Sequence, residues 1–157
     1  MSPPRRRETA CVIVIDTLGR FLLQQRDDLP DIPCPGKVGL FGGHREGEES
    51  YLECAIREVQ EELNYFVSAE RFAHLLSQDG PDLDLGSGTI RNEFFVVRNV
   101  PVDALTVMEG TLLVVKSEDI AAMKDKILPM AWRGLQTFLA QNRLLSNEAT
   151  ADFKLGH

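Results

Sequence analysis

Runs of apolar residues rich in Val, Ile, Leu and Phe divide the chain into short segments separated by polar stretches. Runs of this length and composition are typical of β-strands. Two of the intervening stretches, residues 27–37 and 79–88, concentrate aspartate, glycine and proline, which predicts loops there. The apolar runs predict six strands, over residues 9–16, 21–26, 38–41, 71–78, 90–100 and 111–116.

Two other stretches space their apolar residues three or four apart, which indicates amphipathic helices. Ser50 followed by Glu53 has the spacing of a capping box at the start of the first helix. Asn64 tolerates the left-handed conformation that ends many helices. Ser117 is placed to cap a further short helix. The stripes of the two long helices are Leu52, Ile56, Val59 and Leu63, and Leu128, Trp132, Leu135 and Leu139.

The order of these elements predicts an α/β fold in which helices cover a mixed sheet. A chain of 157 residues fits one domain. We place that domain at residues 9–145, with flexible tails at 1–8 and 146–157. The order of the strands in the sheet does not follow from the pattern alone.

Charge and cysteine content narrow the functional classes. The net charge is −7 and the pI is near 5.0, which argues against a protein that binds nucleic-acid backbones or membrane surfaces. No apolar stretch is long enough to span a membrane or to form a signal peptide. The three cysteines form no CxxC pair, so we expect reduced thiols in a cytoplasmic protein.

Three acidic residues fall on one side of the first predicted helix. Glu58, Glu61 and Glu62 are spaced at i, i+3 and i+4, so their carboxylates lie close together and repel one another. A neighbouring positive charge would offset this repulsion, and a hard divalent cation is the candidate that we favour. Gly42 and Gly43 precede the helix, and glycine lets a backbone approach a metal ion or a phosphate closely.

These residues belong to a longer motif, GHREGEESYLECAIREVQEELNY, over residues 43–65. The segment resembles the Nudix box, G-x5-E-x7-R-E-U-x-E-E-x-G-U, in which U is a bulky apolar residue. Asn64 replaces the last glycine and Tyr65 the last aliphatic residue, and both changes are mild because Asn adopts similar backbone geometry. The matching residues are Gly43, Glu49, Arg57, Glu58, Val59, Glu61 and Glu62.

The resemblance is to MutT-like pyrophosphohydrolases, and it implies an α/β/α sandwich that hydrolyses a diphosphate linkage in a nucleoside diphosphate derivative. It also implies Mg²⁺ as cofactor, with Mn²⁺ as a substitute, and a small nucleotide as partner; it leaves a homodimer open. Glu58 and Glu61 are the implied catalytic residues, and Glu49 and Arg57 an ion pair that braces the box. The implied metal ligands are Glu58, Glu61, Glu62, Glu109 and the backbone carbonyl of Gly43.

Several assignments keep an alternative. The acid from outside the box could be Glu93, Asp103, Glu109 or Glu118. We favour Glu109 because it immediately precedes a strand, although a solvated loop residue fits it equally well. His44 could contact phosphate or lie on the surface. Phe41 and Trp132 fit the core better than a ligand pocket.

The motif defines the bond that is cut and not the rest of the substrate. Aspartates in the loops 27–37 and 79–88 offer acceptors for sugar hydroxyls, which favours a nucleotide sugar slightly over a nucleoside triphosphate. A binding or regulatory module without catalysis is the alternative of a different class. Such a module would not need all three of Glu58, Glu61 and Glu62, and their joint presence favours an enzyme.

Overall fold

The computed structural model describes the backbone of residues 5–155 and the side chains of residues 5–145. Short 3₁₀ turns connect several of its regular elements, at Ala69–Arg71, Val102–Ala104, Ser117–Asp119 and Ala121–Lys126. In chain order, the strands and α-helices are β1 (Arg6–Asp16), β2 (Phe21–Gln25), β3 (Val38–Gly39), β4 (Phe41–His44), α1 (Tyr51–Leu63), β5 (Ala73–Pro81), β6 (Thr89–Val100), β7 (Thr111–Val115) and α2 (Pro129–Leu155).

The strands form one mixed sheet centred on β1. The order along the main path is β3-β2-β1-β6-β5, and β7 also pairs with β2. β1 runs parallel to β6, and the other pairs are antiparallel. On its other edge β1 pairs with β2 near its end and with β4 near its start. The predicted box begins within β4, at Gly43, and so starts on the part of this edge that pairs with the beginning of β1.

Two apolar layers cover the sheet, because alternate residues of a strand point to opposite faces. One layer lies between the sheet and α1, where Ala10, Val12 and Val14 of β1 pack in one cluster with Val59 and Leu63 of the helix. The intervening residues of β1 pack in a second cluster with residues of α2, including Ile13, Ile15, Leu135 and Phe138. The predicted α/β/α sandwich around a mixed sheet is therefore confirmed.

Local chemistry defines both ends of α1. The Ser50 hydroxyl accepts a hydrogen bond from the Glu53 amide at 3.0 Å, and the Glu53 carboxylate accepts one from the Ser50 amide at 2.9 Å. This is the predicted capping box. Asn64 ends the helix in the left-handed conformation, with φ 49° and ψ 43°. The helix that carries the acidic residues is therefore fixed by its own sequence.

Replacing Ser50 with alanine should lower the free energy of unfolding by about 1 kcal/mol, because the amide of Glu53 loses its capping acceptor. Chemical denaturation of the wild type and the variant measures this difference. Ser87 lies exposed in the loop between β5 and β6, so Ser87→Ala is the matched control and should change stability by less than about 0.5 kcal/mol. Equal effects of the two substitutions would contradict the capping role.

The ends of the chain differ from the predicted tails. β1 begins at Arg6, where the sequence predicts Thr9, because the Arg6 guanidinium pairs with Asp79 and Arg6 itself pairs with Thr89 of β6. α2 continues to Leu155, so residues 146–155 are helical where a tail is predicted. Proline and glycine are absent from that stretch, so nothing interrupts the helix. Residues 1–4 and 156–157 of the predicted tails lie outside the described residues.

Three internal predictions also change. The predicted strand 38–41 divides at Leu40, because β3 pairs with β2 whereas β4 pairs with β1. The predicted strand 71–78 starts at Ala73 and extends to Pro81, since its ladder with β6 continues to Thr89. The short helix expected at Ser117 is a 3₁₀ turn over Ser117–Asp119.

Candidate active site

A cleft of about 380 Å³ opens between one end of the sheet, the segment before α1 and the start of α2. Gly42 and Gly43 of β4 line it, as do Glu58 of α1 and Glu109 of the loop before β7. The sequence separates these residues widely, and the divided edge of β1 brings them together. The cleft is therefore the meeting place of the box with the acid that we favour from outside it.

Glu58 lies directly against the backbone of Gly43. A Cβ atom built on Gly43 would stand 2.5 Å from the Glu58 carboxylate, so any other residue at this position would displace that carboxylate. The Nη1 of Arg57 donates to this carboxylate at 2.9 Å. Burial nevertheless raises the pKa of Glu58 above its usual value, and the charges of Glu61 and Glu109 act in the same direction.

Glu62 is the most enclosed acid of the site, with 5% of its surface exposed. One carboxylate oxygen accepts a hydrogen bond from the Gly42 amide at 2.8 Å, and the other accepts one from the Gln24 side chain at 2.9 Å. Burial raises the pKa of Glu62 to about 8, and the charges of Glu58 and Glu109 add to the effect. The charges of Glu58 and Glu109 are thus near enough to oppose the ionisation of Glu62.

Gln24 is a site residue that the sequence reasoning missed. Its side-chain amide donates both to Glu62 and to the backbone carbonyl of Glu109, at 2.9 and 3.0 Å. It therefore ties α1 to the loop before β7 across the sheet. The available signal was the polar pair Gln24-Gln25 that ends the apolar strand FLLQQ, and the structure buries Gln24 of that pair.

Glu61 occupies a different position from the other box carboxylates. Its side chain is 57% exposed and contacts Arg57 at 3.3 Å, and it does not line the cleft. The predicted group of three acids on α1 is therefore divided in the structure. Glu58 and Glu62 face the double glycine, whereas Glu61 lies on the solvent side.

Arg57 connects the helix to the loop in front of it. Its guanidinium donates to both carboxylate oxygens of Glu49, at 2.6 and 3.0 Å, and to the backbone carbonyl of His44 at 2.9 Å. The hydrogen bonds from Arg57 lower the pKa of Glu49 to about 2. Glu49 also accepts from the Glu46 amide, so the loop between β4 and α1 is fixed at several points.

The ion pair gives stability a defined pH dependence. The pKa of Glu49 is lowered in the folded state from an ordinary value of 4.5. Its contribution is therefore complete above that value, and it disappears as the pH falls through the folded pKa. Glu49→Gln should be less stable than the wild type at pH 7, and the gap should narrow as the pH falls from 4.5 towards 2. Denaturation at a series of pH values measures it.

The control for this experiment is Glu48→Gln. Glu48 is the exposed neighbour of Glu49 on the same loop, so its substitution removes a negative charge without removing the fork with Arg57. The control should differ little from the wild type across the whole pH range. A gap for Glu49→Gln that stays constant down to pH 2 would count against the ion pair as its cause.

Comparison of the sequence with protein-family models identifies the family of proteins that carries this site. The family model described as NUDIX domain matches residues 5–132. The chain belongs to the NUDIX family. No curated protein matches the sequence.

Solved NUDIX structures share the fold at low sequence identity. A MutT protein from Methanosarcina mazei is 21% identical with a TM-score of 0.73, and the match covers 90% of this chain and 99% of that one. A dihydroneopterin triphosphate pyrophosphohydrolase from E. coli is 20% identical with a TM-score of 0.61, covering 83% and 90%. A bifunctional NMN adenylyltransferase/ADP ribose pyrophosphatase from Francisella tularensis, complexed with AMP and a manganese ion, is 19% identical with a TM-score of 0.67, covering 90% and 43%.

The remaining candidate acids are placed outside the cleft. Glu93 is buried and accepts hydrogen bonds from Ser77 and Arg91, in contact also with His74. Asp103 and Glu118 are exposed on 3₁₀ turns. None of the three lines the cleft, whereas Glu109 and His44 both do.

Two predictions about aromatic residues agree with the packing, because Phe41 is fully buried against α1 and Trp132 packs with the cluster around α2.

The aspartates of the loop between β5 and β6 are less available for binding a ligand than the sequence suggests. Asp82 is buried and accepts two hydrogen bonds from Arg7, and one oxygen of Asp84 accepts from the Met130 amide. Within residues 5–155, no helix is long and apolar enough to cross a bilayer.

The acidic side chains of the site supply the type of donor atom that a hard cation prefers. Within the described part of the chain, no three His, Cys, Asp or Glu side chains stand in an arrangement that could hold a metal ion. Instead, the Glu58 carboxylate accepts a hydrogen bond from Arg57, and the Glu62 carboxylate accepts hydrogen bonds from Gln24 and the Gly42 amide. Carboxylate oxygens are nonetheless the ligands that Mg²⁺ prefers. Burial raises the pKa of Glu58 and of Glu62, the charges of neighbouring carboxylates add to the effect, and a bound cation would favour the ionised forms.

Proposed function

We propose that this NUDIX protein is a Mg²⁺-dependent pyrophosphohydrolase that cleaves a diphosphate linkage in a nucleoside diphosphate derivative. The observation that carries the proposal is the meeting of Glu58 and Glu109 in the cleft lined by Gly42 and Gly43, with buried Glu62 bonded to the Gly42 amide and close enough to feel both charges. Three crowded carboxylates are unfavourable without a counter-charge, and a polyphosphate substrate brings further negative charge. A divalent cation held by these carboxylates would neutralise both charges and would lower the pKa of a bound water.

Each residue receives a role in this proposal. Glu58, Glu62 and Glu109 hold the metal, together with the backbone carbonyl of Gly43. Glu58 and Glu61 are the catalytic candidates, and the exposed carboxylate of Glu61 is either a further ligand or the group that handles the attacking water. Arg57 and Glu49 act indirectly, because they hold the loop and the Glu58 carboxylate in place.

Mg²⁺ is the proposed metal and Mn²⁺ its substitute. The structural neighbour from Francisella tularensis carries Mn²⁺ together with AMP, which supports a divalent cation beside a nucleotide in this fold. The E. coli neighbour is a triphosphate pyrophosphohydrolase, which supports a triphosphate among the substrates to be tested. The three free cysteines are compatible with the cytoplasmic location that we propose.

A substrate panel tests the proposal. It contains nucleotide sugars, dinucleotides and normal and oxidised nucleoside triphosphates, each incubated with Mg²⁺, with Mn²⁺ and with excess chelator. We expect cleavage within the diphosphate of one class, sustained by either metal and abolished by the chelator. Absence of cleavage throughout, with nucleotide binding intact, would show instead a non-catalytic binding or regulatory module.

A further inference from the structure

Two polar side chains in the wall of the cleft lack hydrogen-bond partners. Thr9 of β1 and Asn92 of β6 are paired neighbours in the sheet, and both line the cleft. They are 6% and 1% exposed, and neither the Thr9 hydroxyl nor the Asn92 Oδ1 bonds to any residue that the structure describes. Buried polar atoms are nearly always satisfied, so an adjacent pair of unsatisfied ones demands a specific explanation.

The Asn92 Oδ1 can only accept a hydrogen bond, and the Thr9 hydroxyl can accept one as well. Arg7 lies two residues before Thr9 on β1, and Asp82 accepts hydrogen bonds from two of its guanidinium nitrogens. Asp84 also lines the cleft, and its partly buried carboxylate receives one hydrogen bond from the Met130 amide. A ligand that satisfies this wall must therefore present N–H or O–H donors.

The rest of the cleft indicates the shape of that ligand. Leu40, Ile90, Leu128, Met130 and Ala131 give it an aliphatic lining around the polar wall. A sugar carries hydroxyl groups on all sides and would leave several of them against these side chains. A heterocyclic base has two apolar faces and confines its N–H groups to one edge, so it matches both surfaces at once.

We infer that Thr9 and Asn92 form the recognition site for the N–H edge of the substrate's heterocyclic base. The inference rests on the proposed function, and it names the base as the part of the substrate that this chain selects. The same cleft holds Glu58 and Glu109, so a nucleotide whose base lies on Thr9 and Asn92 extends its phosphates towards the box.

The test compares ligands that differ only in the presence of a base. The probes are methylene-bridged nucleoside diphosphates of the four common bases, and methylenediphosphonate, each with Mg²⁺ in calorimetric titrations. These probes resist hydrolysis, so the result does not depend on turnover. The variants are Thr9→Val and Asn92→Leu, and Thr89→Val is the control, since Thr89 is exposed on β6 and does not line the cleft.

Each cleft variant should bind its preferred nucleotide probe about tenfold more weakly than the wild type, as expected for one lost hydrogen bond. Binding of methylenediphosphonate should not change, and Thr89→Val should match the wild type with every probe. Thr9→Val should also unfold at the same temperature as the wild type or higher, because it removes a buried hydroxyl that has no partner. A purely structural hydroxyl would give the opposite change in stability.

Nucleotide affinity unchanged in both cleft variants would overturn the inference, as would an equal loss of affinity for methylenediphosphonate. Thr9→Val keeps the volume of the side chain, so it remains informative if Asn92→Leu does not fold. The outcome is separable from that of the proposed function. Selective loss of nucleotide binding in a protein that cleaves nothing would uphold base recognition and reject the hydrolase.

Discussion

Replacing Glu58 with glutamine should lower the turnover of the best panel substrate by about a thousandfold, with little change in fold. A metal ion stabilises transition-state charge by several kcal/mol, and each 1.36 kcal/mol corresponds to a factor of ten in rate. Glutamine keeps the shape of Glu58 but loses the charge that holds the metal. Because burial raises the pKa of Glu58, the neutral side chain should leave stability unchanged or increase it.

The measurement is steady-state turnover at saturating Mg²⁺, with thermal unfolding of the same samples. Glu48→Gln again serves as the control, because it removes one exposed charge from the adjacent loop and should retain full activity. Turnover of Glu61→Gln over a series of Mg²⁺ concentrations separates the two roles open to Glu61, because added Mg²⁺ would restore turnover after loss of a metal ligand and would not do so after loss of a group that handles water. Turnover of Glu58→Gln within threefold of the wild type would exclude Glu58 as an essential ligand.

Gly42→Ala should be the most destabilising single methyl addition in the box region. Gly42 has φ +145°, and a Cβ atom there would stand 2.0 Å from the backbone oxygen of Ala10. β4 must then separate from β1, and the Gly42 amide loses its position against Glu62. We expect a loss of about 3 kcal/mol or more in unfolding free energy, and a fall of roughly 10 °C in melting temperature.

Gly47→Ala is the matched control for that prediction. Gly47 also has a positive φ, of +55°, but a Cβ atom there meets nothing within 4 Å. It should lose only about 1 kcal/mol, the ordinary cost of placing alanine in the left-handed region. Calorimetric melting of the three proteins measures the difference. Equal losses at the two glycines would mean that close approach to Ala10 is not the cause.

Local patterns predicted the parts of the fold that local chemistry determines. The capping box of Ser50 and Glu53, the left-handed Asn64 and the fork between Arg57 and Glu49 all appear as expected. Each depends on residues within about one or two helical turns of one another, where spacing alone decides what can touch. The apolar stripes likewise predicted which faces of the two α-helices enter the core.

Long-range pairing accounts for what the sequence did not show. The parallel ladder of β1 with β6 joins residues far apart in the chain, and it alone makes Thr9 and Asn92 neighbours. Gln24 reaches Glu62 only because β2 pairs beside β1. No periodicity reports such contacts, since they depend on the register between strands and not on the sequence of either strand.

The acidic residues illustrate the same limit. Spacing on a helix placed Glu58, Glu61 and Glu62 together. In the structure only Glu58 and Glu62 lie against the backbone of β4, whereas Glu61 points towards solvent. Loop composition suggested that Asp82 was free to meet a sugar, whereas a buried pair with Arg7 occupies it. The number of candidate acids was therefore apparent from the sequence, and their availability required the three-dimensional packing.

Mn²⁺ binding, followed by the loss of the electron paramagnetic resonance signal of the free ion, tests the metal site most directly. The wild type should bind Mn²⁺, and Mg²⁺ should displace it. Glu58→Gln and Glu62→Gln should each weaken binding at least tenfold, whereas Glu48→Gln should bind as the wild type does. Equal Mn²⁺ affinity in all four proteins would contradict a metal site built from the carboxylates of α1, and the hydrolytic mechanism would lose its basis.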